Sequence, residues 1–326
     1  MEKKKLLTNT LFVAVAAMFC CALWGSATPF IKIGYELILP ERNIASTILF
    51  AGTRFFVAGI VTVLIYSIAR RKFLFPKREN LGAVATVASF QTIIQYLFFY
   101  IGLANTTGVK GTVISGSNSF FSILCATLIF RQEKLTVRKI IACVIGFAGI
   151  VLINLNGLSL NLNFLGDGFV LLSNLAYGVS GALMKRFSHR EDPVVISGYQ
   201  FIMGGFVMIL VGLAFGGVIA VTSINALMVM LYLSLLSAVA YSLWGVLLKH
   251  NPVSKVSIYS FMTPVFGVLL SNLMLAEKSN VALLNLTAAL ILICSGIAIL
   301  NCSPSPVAYK HCKVKSSYTY RRNKKD

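Results

Sequence analysis

Charged side chains are scarce in this sequence: Asp, Glu, Lys and Arg make up 12% of 326 residues, against about 25% in a soluble domain. Acids are rarer still, ten in all. Every one of them (Glu2, Glu36, Glu41, Glu79, Glu133, Asp167, Glu191, Asp192, Glu277 and Asp326) falls in a loop, a terminus or the end of an apolar run. The only histidines are His189, His250 and His311. Without carboxylates or imidazoles at depth there is no ligand set for a metal ion, no nucleophile with a base for an enzyme, and no side-chain proton relay. The cysteines form no Cys-x-x-Cys pair: Cys20 and Cys21 are adjacent, Cys125, Cys143, Cys294 and Cys302 are scattered, and Cys312 is in the tail. They read as small buried hydrophobes, and no cofactor is expected.

What fills the sequence instead is apolar. Hydrophobic residues make up 57% of the chain, and runs near the roughly 20 residues that cross a bilayer occur at 11–33, 47–69, 82–104, 109–130, 137–154, 165–186, 194–219, 226–248, 254–275 and 282–301. Connections between them are short, and none shows the ten-residue alternation of a membrane strand. The expected fold is an all-α polytopic membrane protein. A secretory signal is the alternative for the first run, after Lys3, Lys4 and Lys5, but the run is too long for a signal core and carries Trp24, Pro29 and Phe30.

Basic residues then orient the chain. With the amino terminus in the cytoplasm, 24 of the 29 Lys and Arg fall in inner loops or the tail, against Arg42, Lys110 and Lys278 outside. Lys32 and Arg54 lie inside runs. This follows the positive-inside rule and predicts a multi-pass cell-membrane protein with both termini cytoplasmic. The net charge of +19, spread over alternate loops, fits anionic lipid at the cytoplasmic face rather than nucleic acid. Residues 303–326 form a basic tail without apolar periodicity, expected to be disordered along that face.

The runs also repeat. Trp24-Gly25 with Lys32 returns as Tyr177-Gly178 with Lys185, 153 residues later. Arg54-Phe55-Phe56 and Gly59 match Gln200-Phe201-Ile202 and Gly205 at an offset of 146. Val109 to Glu133-Lys134 matches Val253 to Glu277-Lys278 at 144, and Gly149 to Asn154 matches Gly296 to Asn301 at 147. Five helices per copy is an odd number, so the second copy is predicted upside down. The expected organisation is ten transmembrane helices as two inverted five-helix repeats, over 1–155 and 160–302, with the tail beyond.

Trp24-Gly25-Ser26 through Lys32, Arg54-Phe55, and Asn251-Pro252-Val253 through Thr263-Pro264-Val265-Phe266 to Ala276-Glu277-Lys278 resemble the EamA family of the drug/metabolite transporter superfamily. The resemblance spans about residues 10 to 302. It implies an inner-membrane exporter or facilitator of small metabolites, often amino acids, with a cavity between two five-helix bundles, and it names no substrate. The halves differ where Arg131-Gln132-Glu133 and Phe120 stand opposite Leu275-Ala276-Glu277 and Pro264.

Polar and aromatic residues at helical spacing supply the candidate cavity wall: Trp24, Gln91, Gln95, Asn118, Asn174, Tyr177, Tyr241 and Trp244. Interhelical hydrogen bonding is the plain alternative for each stripe. Arg54 is the deepest charge and suits either a substrate carboxylate or a structural lock with Glu36, Glu41 or backbone. Lys32 and its mate Lys185 fit gate positions or interface anchors. Pro29 and Pro264, inside helices 1 and 9, each free a carbonyl and are candidate hinges or static kinks. The reading is a transporter of a small organic solute such as an amino acid or drug-like molecule, working by alternating access, with oligomeric state open. The rivals are a membrane-embedded enzyme or lipid-processing protein, and a non-transporting receptor.

Overall fold

The computed structural model describes residues 2–154, 163–275 and 283–301. Glu277, Lys278 and the basic tail lie outside the described residues. Within them every regular element is helical. A short helix, Glu2–Thr8, precedes α1 (Thr10–Ile38) and α2 (Ile44–Ala69). There follow α3 (Arg78–Ala104), an interrupted α4 (Gly108–Ser115, then Asn118–Leu124 and a wide π turn Cys125–Ile129), and α5 (Val137–Ile153). The second half holds α6 (Phe169–Phe187), α7 (Pro193–Ala214), α8 (Ile224–His250), an interrupted α9 (Val253–Ser257, a 3-10 turn Ile258–Phe261, then Met262–Leu275) and α10 (Leu283–Asn301).

Seven of these, α1 to α4 and α7 to α9, are long and apolar enough to cross a membrane. Of the other runs, α5 has 17 residues, α10 is 19 long, and α6 carries Ser173, Asn174, Ser180, Lys185 and Arg186. Leu64, Ile68, Val144, Phe206, Leu213, Met228 and Ile291 stand exposed on the outer faces, the surface a hydrocarbon phase would cover.

Local chemistry starts the helices where the apolar runs begin. The side chains of Asn9, Asn43, Thr107, Thr136, Asp192 and Ser223 each accept from a backbone N–H of the first turn of α1, α2, α4, α5, α7 and α8, satisfying donors that a helix start leaves free. Pro193 opens α7, where its missing N–H is no loss.

Glycines bring two helix pairs into backbone contact. Helices α2 and α7 run antiparallel, with Leu49 at Gly212, Gly52 at Met208, and Val63 at Gly198. A Cβ on Gly59 would lie 2.6 Å from Gly198 O and Ile202 N, and one on Gly205 2.8 Å from Gly52 O and close against Phe56. Helices α5 and α10 meet in the same manner through Gly149 and Gly296. Such close approach replaces hydrophobic driving force, which lipid does not supply.

The remaining helices are placed by α1 and α6. Helix α1 lies between α8 and α9: Cys20 donates to Ala240 O at 3.5 Å, Cys21 to Tyr259 O at 3.2 Å, and Ser26 hydrogen-bonds Tyr232 at 2.7 Å. Helix α6 lies between α3 and α4, with Gly102 of α3 against Val170 N and Gly178 against the Phe121 carbonyl of α4. The breaks in α4 and α9 face each other, where Ser119 Oγ donates to Ser257 O at 2.9 Å and shares a hydrogen bond with Ser260 Oγ at 2.6 Å.

Candidate functional site

Where the broken helices meet, five elements enclose a small cavity. Its wall is Gln91 of α3, Ser122 of α4, Tyr177, Ser180, Gly181 and Met184 of α6, Tyr241, Trp244, Gly245 and Leu248 of α8, and Ser257 of α9. As it stands the cavity has room for roughly one water molecule.

A series of aromatic rings leads away from its wall at Tyr241 and Trp244. Trp24 of α1 meets Tyr241 and Trp244 edge-on, at centroid distances of 5.2 and 4.9 Å. Tyr241 in turn meets Phe201 at 5.0 Å, Phe201 stacks on Phe55 at 5.2 Å, and Tyr96 packs on Phe55 at 4.5 Å. The Tyr96 and Tyr241 hydroxyls hydrogen-bond at 2.8 Å. Among these rings, buried polar atoms stand without a protein partner: Trp24 Nε1, Gln91 Oε1, Gln95 Oε1, Asn118 Oδ1 and Ser122 Oγ. Most buried polar atoms are hydrogen-bonded, and leaving one unmade costs about 1–3 kcal/mol. Of these, Gln91 and Ser122 line the cavity itself, and other such atoms, Gln200 Nε2 and Ser242 Oγ among them, are outside its wall.

The structure thus gathers Trp24, Gln91, Tyr177, Tyr241 and Trp244 at one place, while the amide oxygens of the buried Gln95 and the half-buried Asn118 are without a partner. Asn174 does different work: its side-chain amide donates to Ile114 O at 2.6 Å and Ser117 Oγ at 2.9 Å, clamping α6 to the break in α4. Arg54 is 4% exposed and lies with its guanidinium 4.4 Å from the Phe55 ring centroid. Glu36 and Glu41 do not reach it, since Glu36 faces Arg42 at 3.7 Å and Glu41 accepts from Asn43.

Lys32 is exposed, away from the cavity. The Lys185 ammonium donates to Leu248 O at 3.0 Å and to Asn251 O, so it caps the carboxyl end of α8. Pro29 is buried in an α1 that stays helical through it. Pro264 falls in the first turn of the resumed α9, where no helical N–H is needed, so the break lies upstream in Ile258–Phe261. Ser180, Met184, Leu248 and Ser257 escaped the sequence reading. Met184 and Leu248 look like any core residue, and Ser257 is the last residue of the short half-helix Val253–Ser257, an end that no residue in the sequence marks.

Two ion pairs stand apart from the cavity. Glu133, beyond the end of α4, accepts from the Ser254 N–H at 3.1 Å and from the Ser254 hydroxyl, and pairs with Lys139 at 2.8 Å. Asp167, before α6, pairs with Lys110 at 2.6 Å and accepts from Thr106 at 2.5 Å. Among the described residues no group of His, Cys, Asp and Glu could hold a metal ion.

Comparison with known proteins bears on the family and the fold. An uncharacterized transporter of Archaeoglobus fulgidus is 24% identical over 261 residues, covering 78% of this chain and 87% of its own. The uncharacterized transporter YvbV of Bacillus subtilis is 22% identical over 303 residues, with 88% and 91% covered. A solved crystal structure superposes with a TM-score of 0.70 at 15% identity, over 89% of this chain and 97% of that one, which shows a shared fold. The family model described as the EamA-like transporter family matches twice, at residues 11–155 and 164–302. A single model matching both halves accounts for nearly the whole chain, which belongs to the EamA-like transporter family.

Proposed function

We propose that this chain carries a small organic metabolite, such as an amino acid or drug-like solute, outward across the cell membrane by alternating access. In this reading all ten helices span the bilayer as two inverted sets of five, 1–155 and 160–302, with both termini cytoplasmic. The exchange of contacts supports it. Gly59 meets residues 198 and 202, and Gly205, 146 positions on, meets 52 and 56. Two antiparallel helices related in this way have a two-fold axis lying across them, the relation of an inverted-topology repeat. The pairing of α1 with α8 and α9, echoed by α6 with α3 and α4, extends the same relation beyond one helix pair.

The observation that carries the functional half is the cavity itself: unpartnered amide, hydroxyl and indole groups, walled by rings, where two interrupted helices meet. Amides and hydroxyls would pair with a ligand's polar ends while the aromatic wall packs its body. The near-closed volume corresponds to an occluded form, and rocking of one set of five against the other would open it. Lacking a carboxylate or imidazole in its wall, the site suits facilitated diffusion or exchange rather than side-chain proton coupling.

Purified protein in liposomes, tested for flux and counterflow across amino acids, purines, sugars and cationic drugs, decides the matter. Saturable flux of one class, with competition inside that class, is expected. If no solute in the panel crosses faster than in empty vesicles, the transporter reading fails.

A further inference from the structure

Arg54 is a cation deep among the rings that has no counter-ion among the described residues. Its side chain is 4% exposed and Nε has no partner. Six of the described acids are engaged elsewhere: Glu36 with Arg42, Glu41 with Asn43, Glu133 with Lys139 and Ser254, Asp167 with Lys110, Asp192 with Tyr66 and Val194, and Glu191 with Asn80 and Lys77. What surrounds the guanidinium is phenol. Tyr35, Tyr96, Tyr100 and Tyr241 lie within electrostatic reach, and Phe55 underlies it at 4.4 Å. A guanidinium carries five N–H donors and no acceptor, and a buried charge is expensive unless paired.

Tyr241 belongs to this cage and to the cavity wall alike. Its hydroxyl hydrogen-bonds that of Tyr96 at 2.8 Å, and Tyr96 belongs to the cage as well. From there Tyr241, Trp24 and Trp244 run on as one ring surface, and Gln91 and Gln95 present unpartnered oxygens.

We propose that Arg54 is the receptor for a substrate carboxylate, so that the solute carried is an organic acid or amino acid with an apolar or aromatic body lying on Trp24, Tyr241 and Trp244. This rests on the transporter reading above. The planar fork of Arg54 would take the carboxylate through two N–H bonds. Binding supplies the missing counter-charge, and opening the Tyr96–Tyr241 hydroxyl pair joins cage to cavity.

The chain holds two tryptophans, Trp24 and Trp244, and both are in the site, so intrinsic emission reports ligand binding without a label. The purified full-length protein would be titrated with phenylalanine, leucine and hexanoate, and with phenylalaninamide, leucinamide and hexanamide. Acids are expected to shift the emission saturably and to bind at least about tenfold more tightly than their amides. Arg54→Gln should bring that ratio to about one. Arg54→Lys, which keeps the charge and loses the fork, should leave an intermediate ratio, and it carries the test where Arg54→Gln does not fold. Equal binding of acid and amide, an undiminished preference in Arg54→Gln, or saturation by chloride in place of the acid overturns the carboxylate site. In those cases saturable flux of a neutral or cationic solute would leave the transporter reading standing. Absence of both binding and flux for the whole panel defeats that reading, and this inference with it.

Discussion

Gly149 and Gly296 stand in each other's place. A Cβ on Gly149 would lie 2.8 Å from Ile293 Cγ1 and 2.9 Å from Ala289 O, and a Cβ on Gly296 2.7 Å from Ala142 O and 3.1 Å from Gly146 N. The neighbours of one, displaced by 147 residues, are the neighbours of the other. Backbone atoms on the far side of both contacts cannot rotate away, so added volume must part the helices. Gly149→Ala and Gly296→Ala should therefore each destabilise by about 1–3 kcal/mol, outweighing the about 0.5–1 kcal/mol that alanine gains over glycine inside a helix. Gly82→Ala, where a Cβ meets nothing within 4 Å, should be neutral or stabilising. Melting temperatures in detergent check the three together, and a loss confined to one of the two interface glycines would count against their equivalence.

Much of this was legible from residue order, for a physical reason. A bilayer leaves only helices for apolar runs of this length, so the runs delimit α1 to α10 within a few residues, and the offsets of 146 and 147 point to the glycines that later meet. The aromatic wall was legible too, since Trp24, Tyr177, Tyr241 and Trp244 are large polar-tipped rings inside apolar runs. Helical spacing gives the face of a residue but not its partner. Asn174 has the same stripe position whether it faces a cavity or clamps the Ile114 carbonyl, and Lys185 at a helix end reads alike as gate or as cap. The interruption at Ile258–Phe261 carries no glycine or proline, and that at Gly116 and Ser117 has a single glycine of a kind that many of these helices run through unbroken. They depend on serine and asparagine side chains from other helices serving the freed backbone, which is tertiary information.

Glu133 ties the first half to the start of α9. Its carboxylate meets the N–H and hydroxyl of Ser254 in the first turn of Val253–Ser257, as well as Lys139. A helix start favours negative charge and supplies free donors. Glu133→Ala removes both partners at once and should cost about 1–3 kcal/mol. Glu133→Gln keeps an acceptor and should cost less. Detergent melting curves check the order, and equal effects would show that the ion pair with Lys139, not the hydrogen bonds, is what matters.

Lys185 caps α8 through Leu248 O and Asn251 O. Lys185→Met should lose about 0.5–2 kcal/mol of stability, with Lys185→Arg retaining part, while ligand affinity in the folded fraction stays as it was. A changed affinity at unchanged stability would instead make Lys185 a gate.

Acid should loosen the loop between α6 and α7. Burial pushes the Glu191 carboxyl up, but hydrogen bonds from Asn80 and from the backbone of Lys77 and Asp192, with the Lys77 charge, hold it below its ordinary 4.5. Burial likewise opposes, and the Lys110 and Thr106 contacts outweigh, at Asp167, which lies below its ordinary 3.8. A carboxyl lowered in the folded state adds stability above its unfolded value and loses it as pH falls through the folded one. The melting temperature should thus hold the full contribution of these groups, without change, at mildly acidic pH and drop below about pH 4.5. Glu191→Gln should flatten that drop, and an unchanged acid limb would remove Glu191 from the explanation.

Gly181 offers the most direct look at the cavity. It lines the space beside Tyr177 and Trp244, and a Cβ there would meet nothing within 4 Å, so Gly181→Cys places a thiol in the wall without strain. Cys20, Cys21, Cys125 and Cys143 are buried, and the first two donate to the carbonyls of Ala240 and Tyr259, which keeps them from a hydrophilic reagent. Cys294 is exposed, and it should be replaced by alanine together with Cys302 and Cys312. Met184, Leu248 and Ser257 continue the wall from Gly181 toward the helix ends that carry Lys185 and Lys249. In the orientation proposed above, membrane-impermeant maleimide should therefore label Gly181→Cys from the cytoplasmic side, and bound solute should slow the labelling by about tenfold or more. Labelling from neither side, with and without solute, would mean that no aqueous path reaches the cavity, and the alternating-access reading would fall with it.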